Sequence, residues 1–208
     1  MIDIIGYISA IIIGIILSLI GSGGSILTIP VLVYIFTIEP ILATTYSLFI
    51  VGITAFFGAI KNIKKGNIDF KIGIIFTFPS LLSIYFTRRF IIPSLPQKIK
   101  ITENFYYKTD ELILIFLSII MVFAALSLII KKNSLIIKKT NYFIITIEGL
   151  IIGLVTGLIG AGGGFLIIPM LVLFGGLSMK KAIGTSLMII SLKSLIGIIG
   201  DFQLSLNI

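Results

Sequence analysis

The sequence predicts an all-α integral membrane protein. It is built from two homologous helical repeats with broken or re-entrant helices at glycine-rich motifs, and the second repeat is incomplete. Three observations carry this expectation. The chain is 58% hydrophobic and only 12% charged, whereas soluble domains run near 45–50% apolar and about 25% charged. The block GSGGSILTIP (Gly21 to Pro30) returns as GAGGGFLIIP (Gly160 to Pro169). Both blocks interrupt long apolar stretches, where lipid offers no partner for exposed backbone.

The apolar runs, in order, are Ile4–Ile20, Ile26–Ile38, Ile41–Ile60, Phe70–Ile92, Leu112–Ile130, Tyr142–Ile159, Phe165–Leu177 and Ala182–Ile199. The 208 residues leave room for roughly six or seven spans of about 20 residues. Residues 1–20 carry Asp3 and no Lys or Arg. They lack a positive n-region and a small-residue cleavage site, so they read as a retained first helix. Ile26–Ile38 and Phe165–Leu177 are each only about 13 residues, roughly 20 Å as helix. That is short for a ~30 Å hydrocarbon core, so both read as half-helices following a glycine break.

Charge gives orientation. The loop at 61–71 holds Lys61, Lys64, Lys65 and Lys71 against Asp69. The loop at 131–139 holds Lys131, Lys132, Lys138 and Lys139 with no acid. Both are expected on the cytoplasmic side of the cell membrane. Two intervening spans make that assignment self-consistent and put Pro93 to Glu111 outside. The pair Arg88-Arg89 at the outer end of its helix argues mildly against it. The net charge of +8 therefore reports topology rather than nucleic-acid binding. The chain has no Cys and no His, which removes thiolate chemistry and the commonest general base and metal ligand. No cofactor or metal is expected.

An offset of 139 residues aligns Gly14 with Gly153, Pro30 with Pro169, Ala43 with Ala182, Ser47 with Ser186 and Gly58 with Gly197. Roughly twenty of about 55 positions from Gly6 to Ile60 are identical. An Ile-rich chain inflates such counts, but the glycines, prolines and serines do not share that bias. The division is residues 1–130 for the first repeat, about four helices, and 131–208 for the second. Asn67-Ile68-Asp69 leads into two further helices in the first repeat, while the second reaches Leu206-Asn207-Ile208. The expectation is a fragment of a two-repeat protein, with a natural short form as the alternative.

The run GAGGGFLIIPMLVLFGGLSMKKAIGTSLMIISLKSLIG (Gly160 to Gly197) resembles the second-half signature of the sulfite exporter TauE/SafE family. Gly21-Ser22-Gly23-Gly24 through Gly66-Asn67-Ile68-Asp69 resembles the first-half signature. The likeness covers most of the chain and is weak at Leu112–Ile130. It implies a permease with a four-plus-four helix duplication that moves sulfite, sulfonates or other sulfur oxyanions. Lys193 departs from the family pattern, where an uncharged polar residue such as Asn is more usual. That departure puts the usual substrate in question.

The residues themselves offer a site. A helix restarting after a glycine break presents free N–H groups and a positive dipole end, which suit an anion. The expected contacts are Gly21, Gly23, Gly24 and Ser25 in the first block, and Gly160, Gly162, Gly163 and Gly164 in the second. Close helix packing explains the same glycines without a ligand. Pro30 and Pro169 would each free a backbone carbonyl. The hydroxyls of Ser47, Thr185 and Ser186 sit near the start of the next helix in each half; they donate either to an anion or to their own helix. Lys193 lies far from both ends of its apolar run. An intramembrane cation there is a functional candidate by default. Snorkelling, or an ion pair with Glu148 or Asp201, would explain it without substrate. Glu148 is a proton-coupling candidate.

These readings favour a membrane permease for small anions embedded in the lipid bilayer, compatible with a homo-oligomer. The alternatives are a non-transporting membrane subunit and a transporter for another small anion such as a carboxylate. An enzyme is not expected. There is no His-based metal motif, and Ser191 and Ser194 do not face Lys193 at i,i+2 and i,i+1 spacing.

Overall fold

The computed structural model describes residues 24–96, 98–102, 105–108, 141–159 and 163–205, with isolated helical positions at 8, 11, 14, 112, 115, 118, 119, 122 and 126. The fold is helical, as expected. Helix α1 spans Gly24–Pro30 and continues as a wider π-helical stretch, Val31–Ile35. Helix α2 is Pro40–Lys64, and α3 is Phe70–Phe86, extended through a π-helical turn at Thr87–Ile91 to Ile92–Ser94. Helices α4 (Tyr142–Ile159), α5 (Gly164–Leu173) and α6 (Met179–Ser205) follow. Three of the described helical segments are long and apolar enough to cross a membrane: Leu42–Lys64, Phe70–Ser94 and Met179–Ile199. In the polar stretch between α3 and the segment at 112–126, Lys98–Thr102 pairs antiparallel with Phe105–Lys108 as a small ribbon. The sequence reading had no strands there.

Local chemistry sets the helix ends. Pro40 opens α2 at the first-turn position, where its missing N–H costs nothing. Gly66, at φ +67°, closes it. The Gly66 N–H reaches Ile63 O at 3.0 Å and the Asn67 N–H reaches Asn62 O at 3.0 Å, the two bonds of a Schellman motif. Asp69 then caps α3 by accepting from Ile72 N at 3.0 Å. The described parts of the two short helices, α1 and α5, lie within the two glycine-rich blocks from Gly24 and Gly164 onward.

Helices α3 and α4 run parallel in tight contact. A Cβ on Gly149 would sit 2.6 Å from Phe76 O, one on Gly153 2.6 Å from Ser80 O, and one on Gly157 2.8 Å from Thr87 Cβ. Small residues let the backbones meet, the usual device where lipid removes any hydrophobic driving force between helices. Gly153→Val is therefore expected to push α3 and α4 apart and cost roughly 1–3 kcal/mol. A lowered thermal midpoint in detergent would register it. An unchanged midpoint would refute this packing account.

Helices α2 and α6 cross antiparallel. A Cβ on Gly58 would lie 3.1 Å from Leu187 Cδ1, one on Gly52 2.9 Å from Ser194 Cβ, and one on Gly197 3.2 Å from Leu48 Cδ1. Gly58 and Gly197 are related by the 139-residue offset, and so are Leu48 and Leu187. The two glycine–leucine contacts thus exchange under that offset.

These directions gather basic residues at one end of the bundle. There α2 finishes with Lys61 and Lys64, α3 begins beside Lys71, and α6 begins with Lys180 and Lys181. Thr185 Oγ1 accepts from the Asp69 N–H at 3.0 Å, tying α6 to the α2–α3 turn. Lys71 Nζ lies 4.5 Å from the Tyr142 ring centroid, joining the starts of α3 and α4. The outer surface is rich in large apolar side chains, with Phe57 at 67%, Phe78 at 66% and Phe143 at 72% exposure. Lipid, not water, suits such a surface.

Candidate functional site

The site is built on α4, α5 and α6. Lys193 stands fourteen residues along α6 from Met179, and Thr156 fourteen residues along α4 from Tyr142. Each is about 21 Å from its helix start, so the parallel helices bring both to one depth. The Lys193 Nζ donates to Thr156 Oγ1 at 2.7 Å. Thr156 Oγ1 donates in turn toward Gly153 O at 3.3 Å. Lys193 is 0% exposed and Thr156 1% exposed. Snorkelling therefore does not describe Lys193: its ammonium stays inside the protein.

Gly163 completes the constellation. It precedes α5 in the left-handed region, φ +74°, ψ +13°. Only glycine takes that conformation without strain. Its carbonyl accepts from Leu166 N at 3.0 Å and Ile167 N at 3.1 Å, starting the helix. A Cβ there would run into Thr156 Cγ2 and lie 3.4 Å from Lys193 Nζ. The ammonium thus sits beside the positive end of a ten-residue helix. Among the described residues no carboxylate lies within ion-pair distance of Lys193. Two positive elements converge on one buried spot, an arrangement that an anion would stabilise.

Other expected site residues fall in different places. Ser47 is fully buried on α2, and its hydroxyl has no hydrogen-bond partner among the described residues. Its neighbour Leu48 touches Gly197, one turn beyond Lys193. Ser194 Oγ is likewise buried, with no hydrogen-bond partner among the described residues. Ser186 donates to Ile183 O at 2.8 Å, within its own helix. Thr185 is engaged with Asp69 about 12 Å along α6 from Lys193, so it is not brought to the ammonium. Glu148 is half-buried on α4, also about 12 Å short of Thr156 along the helix. Gly24 opens α1 and Gly164 opens α5. Gly21, Gly23, Gly160 and Gly162 lie outside the described residues, as do the side chains of Ser25 and Asp201.

Two residues were undervalued by the sequence reading. Thr156, which shares its apolar helix with Thr146 and Glu148, was not singled out at all. Arg88 was treated as a charge at a helix end. It is 0% exposed, and its Nη1 lies 3.5 Å from Thr45 Oγ1 on α2. It is an interior residue and carries no weight as a loop charge.

Comparison with known proteins identifies the family. The family model described as sulfite exporter TauE/SafE matches residues 7–207. A probable membrane transporter protein of Methanocaldococcus jannaschii is 32% identical over 201 residues, covering 94% of this chain and 69% of the relative. No solved structure gives a significant match. On the extent of the family match and the identity to that relative, the chain belongs to the sulfite exporter TauE/SafE family of membrane transporters.

Proposed function

We propose that the protein is a secondary transporter for small anions, with sulfite, sulfonates and other sulfur oxyanions as its substrate class, in the cytoplasmic membrane. The observation that carries this reading is Lys193: fully buried, hydrogen-bonded to Thr156, and beside the start of α5. An oxyanion at that point would accept from the ammonium and from free N–H groups of α5. No covalent step is required.

The Lys-rich end is the cytoplasmic side in this reading. Helix α4 rises from it, and α5 turns back after Gly163. At ten residues, α5 covers only about 15 Å, so the α4–α5 pair acts as a re-entrant hairpin with its tip inside the membrane. The reciprocal contacts Gly58–Leu187 and Gly197–Leu48 support a duplication of inverted topology, with its pseudo-two-fold near the α2–α6 crossing. Inverted repeats meeting at a midplane site are the common architecture of alternating access. Uptake in proteoliposomes, screening sulfite, thiosulfate, sulfonates and carboxylates with and without a proton gradient, tests the proposal. Saturable uptake of a sulfur oxyanion is expected. Flat signals for every anion would sink it.

A further inference from the structure

We propose that a cavity at the Lys-rich end is a vestibule that concentrates small oxyanions before they reach Lys193, with Lys61 and Lys65 as the recruiting residues. The inference rests on the transport reading above. The cavity has a volume of about 500 Å³. Lys61, Asn62 and Lys65 line it nearer the Lys-rich end, Thr54, Gly58 and Leu187 line it deeper, Gly14 lines another side, and Phe57, also on the outer apolar surface, forms its rim toward lipid. That volume far exceeds a bare oxyanion, so the space holds hydrated ions rather than gripping one.

Charge and spacing favour an anionic occupant. Lys61 and Lys65 stand at i,i+4, where like charges disfavour a helix. A helix C-terminus and the positive-inside tendency explain basic residues there in general. They explain Lys64 equally well, yet Lys64 does not line the cavity. Among the described residues no carboxylate pairs with Lys61 or Lys65. Asn62 Nδ2 gives one N–H to Gly58 O at 2.9 Å and has a second to offer.

Depth connects this space to the site. Gly52 touches Ser194, and Thr54 lies two residues nearer the Lys-rich end. Thr54 therefore stands within about 5 Å of the depth of Lys193, and it is the residue that the 139-residue offset relates to Lys193. The same wall occurs twice. At the Lys-rich end Gly58–Leu187 faces the cavity, and Gly14 has nothing within 4 Å among the described residues. At the other end Gly197–Leu48 is closed over by Ile84, and Gly153 by Ser80 and Ser83. Among the described residues, the open copy faces the Lys-rich side and the sealed copy the opposite side.

The test uses the full chain in proteoliposomes, with sulfite supplied from the Lys-rich side. Lys61→Gln/Lys65→Gln should raise KM roughly 3–10-fold at low ionic strength with kcat unchanged, because steering acts on arrival. The difference should vanish near 0.5 M salt, as screening predicts. Lys64→Gln should leave KM within experimental scatter. The absence of native Cys makes Thr54→Cys a clean probe: an impermeant thiol reagent should label it from the Lys-rich side, and sulfite should slow the labelling. An unchanged KM in the double variant overturns the vestibule while wild-type flux keeps the transport reading intact. A KM shift seen only in vesicles containing anionic lipid assigns the lysines to headgroups and overturns it too. Failure to label Thr54→Cys, with wild-type flux present, means another helix covers the groove and has the same consequence. A wild type that moves no anion removes both readings together.

Discussion

Lys193→Met is expected to lower anion flux at least about 100-fold while leaving the protein folded. In the proposed site the ammonium would give the oxyanion a charge-assisted hydrogen bond that the variant lacks, and such bonds are roughly twice as strong as neutral ones. Met fills a similar volume without a buried charge, so thermal stability should hold or rise; replacing buried ions with apolar residues often does this. Thr156 Oγ1 already donates toward Gly153 O, a bond the variant should keep. Flux and thermal midpoint must be measured on one preparation. Lost flux with a retained midpoint assigns Lys193 to the substrate. Retained flux removes it from the site.

The second large effect is at Gly163. Gly163→Ala should cost roughly 1–3 kcal/mol from its left-handed backbone alone, and its new methyl would strike Thr156 Cγ2. Helix α5 would shift away from Lys193, and flux should fall with stability. Thr156→Ser separates the two causes. It removes Cγ2 and keeps the oxygen that accepts the Lys193 hydrogen bond. Gly163→Ala/Thr156→Ser should recover part of the midpoint lost by Gly163→Ala, but not all, because the φ strain remains. Equal midpoints for the single and double variants would show that the clash contributes nothing.

Much of this molecule could be read from its sequence because membranes constrain sequence strongly. Long apolar runs mark α2, α3, α4 and α6, and the second glycine block holds Gly163, whose left-handed backbone precedes α5. Lys193 stood out because a cation deep in an apolar run has few structural excuses. The pairing of Lys193 with Thr156 was not legible, since it depends on α4 and α6 running parallel at matched depth. Ser186 was preferred over its neighbour Thr185 because the 139-residue offset relates it to Ser47. Thr185 serves the α2–α3 turn and Ser186 its own helix, a difference set by helix facing rather than by residue type. Arg88 misled for a related reason: its distance from a helix end says nothing about the bundle interior it enters. Gly66 was informative only in hindsight, because a Schellman closure depends on the two hydrogen bonds made by Gly66 and Asn67.

Titration of purified protein in detergent with sulfite, wild type beside Lys193→Met, tests the central claim most directly. Binding needs neither a gradient nor a complete transport cycle. The account predicts saturable one-to-one binding to the wild type and a Kd at least about 100-fold weaker in the variant, equivalent to about 2.7 kcal/mol. Equal binding by the two proteins, or none by either, would contradict it.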